Sequence, residues 1–123
     1  MLNCLFVGIG GFIGSVCRYL LGLLPIKPEN GFPVKTLCIN ILGAFCIGLI
    51  VAVAEKNKTI NPQLFLMIKV GVCGGFTTFS TFAYEAADLL KSGNVIIAVS
   101  YICASVILSV LTVFVAQELF ARG

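Results

Sequence analysis

The stretch Gly71-Val-Cys-Gly-Gly-Phe-Thr-Thr-Phe-Ser-Thr-Phe82 sets three glycines, four hydroxyls (Thr77, Thr78, Ser80, Thr81) and three phenylalanines inside an apolar segment. A plain membrane helix would carry Leu, Ile and Val there. Gly74-Gly75 followed by two threonines disfavours an uninterrupted helix, through backbone entropy and competing side-chain hydrogen bonds. A break at membrane depth strips amides and carbonyls of helical partners, which is tolerated only where protein or a polar cavity satisfies them again. In channels and transporters such breaks hold ions. A simple kink with glycines for close packing is the plainer reading. The clustered hydroxyls, with Phe79 and Phe82 one turn apart, favour an ion site.

Other polar residues in apolar runs could join that chemistry. Asn40 lies one turn after Thr36, and an intramembrane amide either binds helices together or lines a pore. Glu85 and Asp88 follow Phe82 at helical spacing, Asp88 placed to reach the interface and Glu85 deeper. Tyr101, Ser105, Ser109 and Thr112 recur at intervals of four, four and three, a polar stripe on one helix face. Such hydroxyls often bond only their own i−4 carbonyls, but a stripe that includes Tyr101 favours a pore or an inter-helix track. Arg18 admits two readings, a side chain snorkelling to the headgroups or a cationic vestibule that concentrates anions.

These residues need helices to position them. The chain has 123 residues, of which 59% are hydrophobic and 11% charged, too few charges to cover a soluble domain. Four apolar runs, over 2–24, 36–54, 63–90 and 95–116, predict an all-α integral membrane protein with one domain over 1–123. The third run as one straight helix would measure roughly 42 Å against a core of about 30 Å; tilt is one way to absorb the excess, and a break near 74–78 at the bilayer midplane is the other. The first run lacks a basic n-region and an A-x-A cleavage site, so it is expected to be a retained helix rather than a signal peptide. Gly10 and Gly14 form a GxxxG pair for close helix approach, and Ala44 with Gly48 another small-residue face.

Composition also excludes. Histidine is absent and no nucleophile–base set appears, which speaks against an enzyme. The six cysteines lie in apolar runs without a CxxC pair, so zinc binding is not expected. The net charge of +3 is dispersed, with no basic run for nucleic acid.

With four spans, Lys56, Lys58 and Arg122 fall on one side and Lys27, Lys35 and Lys91 on the other. Adding Lys69 to the first side and Arg18 to the second leaves the tie intact, and the positive-inside rule chooses no orientation. A chain inserted both ways can pair with itself in antiparallel fashion. Four helices enclose a pore poorly, so a dimer is expected.

The residues Gly10-Gly11-x-x-Gly14-Ser15-x-x-Arg18-Tyr19, Thr36-Leu-x-x-Asn40-x-x-Gly43-x-Phe45-x-x-Gly48 and Gly71-x-x-Gly74-Gly75-Phe-Thr-Thr-Phe-Ser-Thr-Phe82-x-x-Glu85 resemble the CrcB/Fluc fluoride-channel family along essentially the whole chain. The resemblance implies a dual-topology antiparallel homodimer in the bacterial plasma or inner membrane. Two narrow pores would give passive fluoride export and fluoride resistance. It also implies a central structural sodium ion on the backbone carbonyls of Gly74 and Thr77. Phe79 and Phe82 match the family's pore phenylalanines, Asn40 its pore asparagine and Arg18 its vestibule arginine. Ser80 and Thr81 fall within the matched pore motif, and Glu85, Tyr101, Ser105 and Ser109 look like its polar track.

Two other functions share this architecture. A small multidrug-type proton-coupled exporter needs an acidic residue in its first helix, and Leu2 to Leu24 contains none. A non-conducting structural subunit would use the glycines for packing, but gives Phe79 and Phe82 no role in a hydroxyl-rich stretch.

Overall fold

The structure, a computed structural model, describes residues 1–122; Gly123, the end of the expected 1–123 domain, lies outside the described residues. All of its regular elements are helical. They are α1 (Leu2–Gly22), α2 (Val34–Lys56), α3 (Pro62–Leu66), a π-helical segment (Met67–Cys73), α4 (Gly74–Phe76), α5 (Phe79–Lys91) and α6 (Val95–Arg122). Four spans, Leu2–Gly22, Val34–Lys56, Pro62–Lys91 and Val95–Phe120, are long and apolar enough to cross a membrane. Their outward faces carry large apolar side chains such as Leu5, Phe12, Ile96 and Phe114, as contact with lipid tails requires.

The ends of the spans have local causes. The Lys35 ammonium donates to the Gly22 carbonyl at 2.8 Å and the Leu24 carbonyl at 3.3 Å. A cation thus caps the negative end of α1, which stops at Gly22 rather than Leu24. Asn61 caps α3, its side-chain oxygen accepting from Gln63 and Leu64, with Pro62 at the first helical position. The helix α6 runs past 116 because Gln117 to Phe120 are ordinary helix formers.

The glycines set the packing. Gly10 and Gly14 are the buried residues of α1 and face the π segment and α4. A Cβ on Gly71 would stand 2.8 Å from both Gly10 Cα and Val7 O, and one on Gly75 2.8 Å from Gly11 O. The expected GxxxG contact therefore joins α1 to the first half of the third span, backbone against backbone. The helix α2 lies along α6, with Gly48 against Val113 and Ala116. The helix α5 also packs on α6, around Ala86, Leu89, Ala98 and Tyr101.

The third span is interrupted inside the expected interval, at Thr77 and Thr78 rather than at the glycines. Gly74 and Gly75 remain helical in α4. Thr77 (φ −83°, ψ 159°) and Thr78 (φ −147°, ψ 114°) are extended. The Thr78 hydroxyl accepts the Thr81 N–H at 3.1 Å and restarts the helix as the N-cap of α5. The wider π turns upstream had no signature in the sequence; such turns concentrate at functional sites.

Candidate ion-conduction site

The break exposes backbone groups, and neighbouring helices take them up. Asn40 on α2 accepts the Thr78 N–H at 2.8 Å and donates to the Thr78 carbonyl at 3.1 Å. Its amide carries two N–H donors, so one remains for another partner. From α1, Arg18 Nε donates to the Gly75 carbonyl at 3.2 Å. That carbonyl lies near the C-terminal end of the first half-helix, where a cation is favoured. Arg18 thus reaches toward the break from within its own span. The Thr77 hydroxyl donates to the Cys73 carbonyl at 3.0 Å, the i−4 pattern.

Two cavities flank this junction. One, of about 340 Å³ and open on one side, is lined by Asn40, Gly43, Gly74, Thr77, Thr78, Phe79, Phe82, Ser105 and Ser109 among others. It gathers residues that the sequence reading drew from three different spans. The Ser105 hydroxyl on its wall is buried without a hydrogen-bond partner. A buried lone hydroxyl is unfavourable unless something else pairs with it. The second cavity, of about 310 Å³, is lined by Arg18, Tyr19, Lys35, Thr36, Thr78, Thr81 and Glu85. Thr78 borders both.

A line of aromatic rings leads away from the break. Phe79 and Phe82 stand 5.6 Å apart between centroids, tilted by 50°. Phe82 and Tyr101 follow at 5.2 Å and 57°. Tyr101 is fully buried, and its hydroxyl donates to Glu85 Oε1 at 3.0 Å. Phe79, by contrast, lines the first cavity yet is 79% exposed. Ser80 is exposed and borders neither cavity; its hydroxyl lies 3.4 Å from that of Thr78.

The structure therefore brings Asn40, Phe79, Phe82, Ser105 and Ser109 together with Gly74 and Thr77, and sets Arg18, Thr81 and Glu85 on the other side of Thr78. Three residues gain importance beyond the sequence reading. Thr78 lines both cavities and is the N-cap of α5, a place the sequence did not single out because Thr77-x-x-Ser80 offers the same spacing. Thr36 is buried against the Tyr101 phenol. Phe32, from the loop between α1 and α2, meets Tyr101 edge to face, and no periodicity marks it.

Residues 5–117 match the family model described as CrcB-like protein, Camphor Resistance (CrcB). A protein of Chlorobaculum tepidum named fluoride-specific ion channel FluC is 44% identical over 85% of this chain and 83% of its own. Proteins of the same name from Gloeothece citriformis and Shewanella halifaxensis are each 40% identical, the first over 100% of both chains and the second over 99% of both. That name describes a channel, not an enzyme. With four spans and a match over nearly its full length, the chain is a multi-pass membrane protein and belongs to the CrcB-like family.

Proposed function

We propose that the chain is a fluoride-selective channel that lets cytoplasmic fluoride leave passively. Its relatives' name gives the ion, and one feature of the site carries the reading. The cavity beside the helix break combines the Asn40 amide, the unpartnered Ser105 hydroxyl and the rings of Phe79 and Phe82. Fluoride is small and strongly hydrated, so it crosses only where donors replace its water. Asn40 has a free N–H, Ser105 an uncommitted O–H, and a phenyl edge is electropositive. Chloride and larger halides need more width for the same contacts. Neutral HF crosses lipid and ionises in a less acidic cytoplasm, and the trapped anion then leaves down its electrochemical gradient.

The working unit in this reading is a dual-topology antiparallel homodimer with two pores. The tied Lys/Arg distribution supports insertion both ways. The first cavity is open and has the largely exposed Phe79 in its lining, which suits completion by a second copy. A structural sodium ion fits the break. The Thr78 N–H, which would serve the Gly74 carbonyl in a continuous helix, goes to Asn40 instead, and Thr77 leaves helical geometry, so both carbonyls suit a hard cation. Such an ion would supply a fixed positive charge and tie two breaks together.

The deciding experiment is anion efflux from liposomes holding the purified protein, followed with fluoride- and chloride-selective electrodes. Fluoride efflux without chloride is expected. Efflux of both would keep a pore and remove the selectivity, and efflux of neither would return the structural-subunit reading.

A further inference from the structure

Tyr101 is held from two sides. Phe82 touches it from the side of the break, and Phe32 from the α1–α2 loop, at 5.6 Å between centroids and 78° between planes. Edge-to-face contacts of this kind are specific in direction and stabilise beyond the area they bury. The Tyr101 hydroxyl in turn points at Glu85, which borders both the Arg18 cavity and a third cavity of about 330 Å³ beneath the loop. Phe32 lines that third cavity together with Lys27, Lys35 and Thr36.

The loop that carries Phe32 is braced. The Phe32 N–H donates to the Asn30 side-chain oxygen at 3.0 Å, Gly31 takes φ +78°, and the Gly31 N–H donates to the Pro28 carbonyl. The Val34 N–H returns to the Phe32 carbonyl at 2.8 Å, and Lys35 ties the arm to the end of α1. A residue on a free loop would not need such fixing, since each fixed backbone residue costs entropy of about 1–2 kcal/mol.

We infer that Phe32 is a positioning residue of the ion path: from the loop it fixes the Tyr101 ring, and through it the Tyr101–Glu85 hydrogen bond, at the mouth of the conduction route. This rests on the channel reading above, but not on contact between Phe32 and the ion.

The full-length protein carrying Phe32→Leu tests it with two readouts. Tyr19 and Tyr84 are largely exposed while Tyr101 is fully buried, so the near-ultraviolet tyrosine dichroism reports chiefly on Tyr101. Phe32→Leu should reduce that signal and slow fluoride efflux about tenfold, and Phe32→Tyr, which adds a packed tyrosine of its own to the dichroism, should restore the efflux. In a Tyr101→Phe background the same change should have no further effect on the residual efflux. An unchanged dichroism, an unchanged efflux rate, or an equal slowing in the Tyr101→Phe background would each overturn the inference. Should Phe32→Leu not fold, Lys35→Met, which releases the same arm, should reduce the dichroism and the efflux in milder form; wild-type values for both would reject it. Absence of fluoride efflux from the wild-type protein would instead sink the channel reading, and the dichroism would still report whether Phe32 orders Tyr101.

Discussion

Asn40 holds Thr78 by both of its backbone hydrogen-bonding groups, accepting from the N–H at 2.8 Å and donating to the carbonyl at 3.1 Å. An amide side chain here does what a neighbouring strand would do for an extended residue, and does it in the middle of a helical span. The interruption is therefore a built junction with its own partner on α2. Asn40→Ala leaves both groups of Thr78 unpaired, and each unpaired buried group costs about 1–3 kcal/mol. Thermal unfolding in detergent should show a loss of about 2–6 kcal/mol; an unchanged transition would mean that the junction does not depend on Asn40.

Asn40→Asp separates the clamp from the proposed conduction role. The carboxylate still accepts from the Thr78 N–H but cannot donate to its carbonyl, and it places a negative charge on the cavity wall. Fluoride efflux should fall at least a hundredfold while the protein remains folded. Normal conduction would move the path away from this cavity.

Phe79→Ile and Phe82→Ile keep apolar bulk and remove the electropositive ring edge. Each should abolish fluoride efflux without changing the assembly's elution volume. Retained flux in both variants would take the rings out of the path.

Gly14 lies where α1 meets α4, and a Cβ there would stand 2.8 Å from the Phe76 nitrogen and 3.1 Å from the Gly75 carbonyl carbon. Those neighbours are backbone and cannot turn aside, so Gly14→Ala forces the helices apart. Overpacking of this kind costs about 1–3 kcal/mol. The lost contact would also draw Arg18 from the Gly75 carbonyl. A lower melting temperature with slower fluoride efflux is the expected result, and a wild-type profile would show that the glycine contact is slack.

Lysines added to the loops on one side should break the tie in positive charge and bias insertion. Cysteine-accessibility labelling would read the orientation, and efflux should fall as the bias grows. Full activity from a single orientation would argue for a parallel assembly.

Much of this was legible in the chain itself. The four spans follow from apolar length, and the interruption from glycines and threonines where leucines belong. The detail went to tertiary contacts. Gly74 and Gly75 read as the break, yet they serve close approach and open space, and the two threonines after them carry the extended backbone. Lys35 reads as a loop charge, but its Nζ reaches back eleven and thirteen residues to close α1. Phe32 carries no periodic signal, because a loop side chain's partner is set by how the loop folds back on the bundle. The hydroxyls of the fourth span separate by depth. Tyr101 is engaged with Glu85, and Ser105, one turn on, has no partner among the described residues.

The π-helical turns over Met67–Cys73 fix a phase along the third span. An α-helix advances about 100° per residue, following from 3.6 residues per turn. Rewinding this segment as regular α-helix, with no residue removed, would swing one half of the span by roughly that angle against the other, because a π turn takes one more residue to close. Gly71 and Gly75 face α1 while Thr77 and Thr78 face the cavity, and both facings cannot survive that swing. The wider winding between the Asn61 cap and the Thr78 cap is thus as much a determinant of the proposed pathway as the residues' identities, and a regularised span would misalign it with every side chain still present.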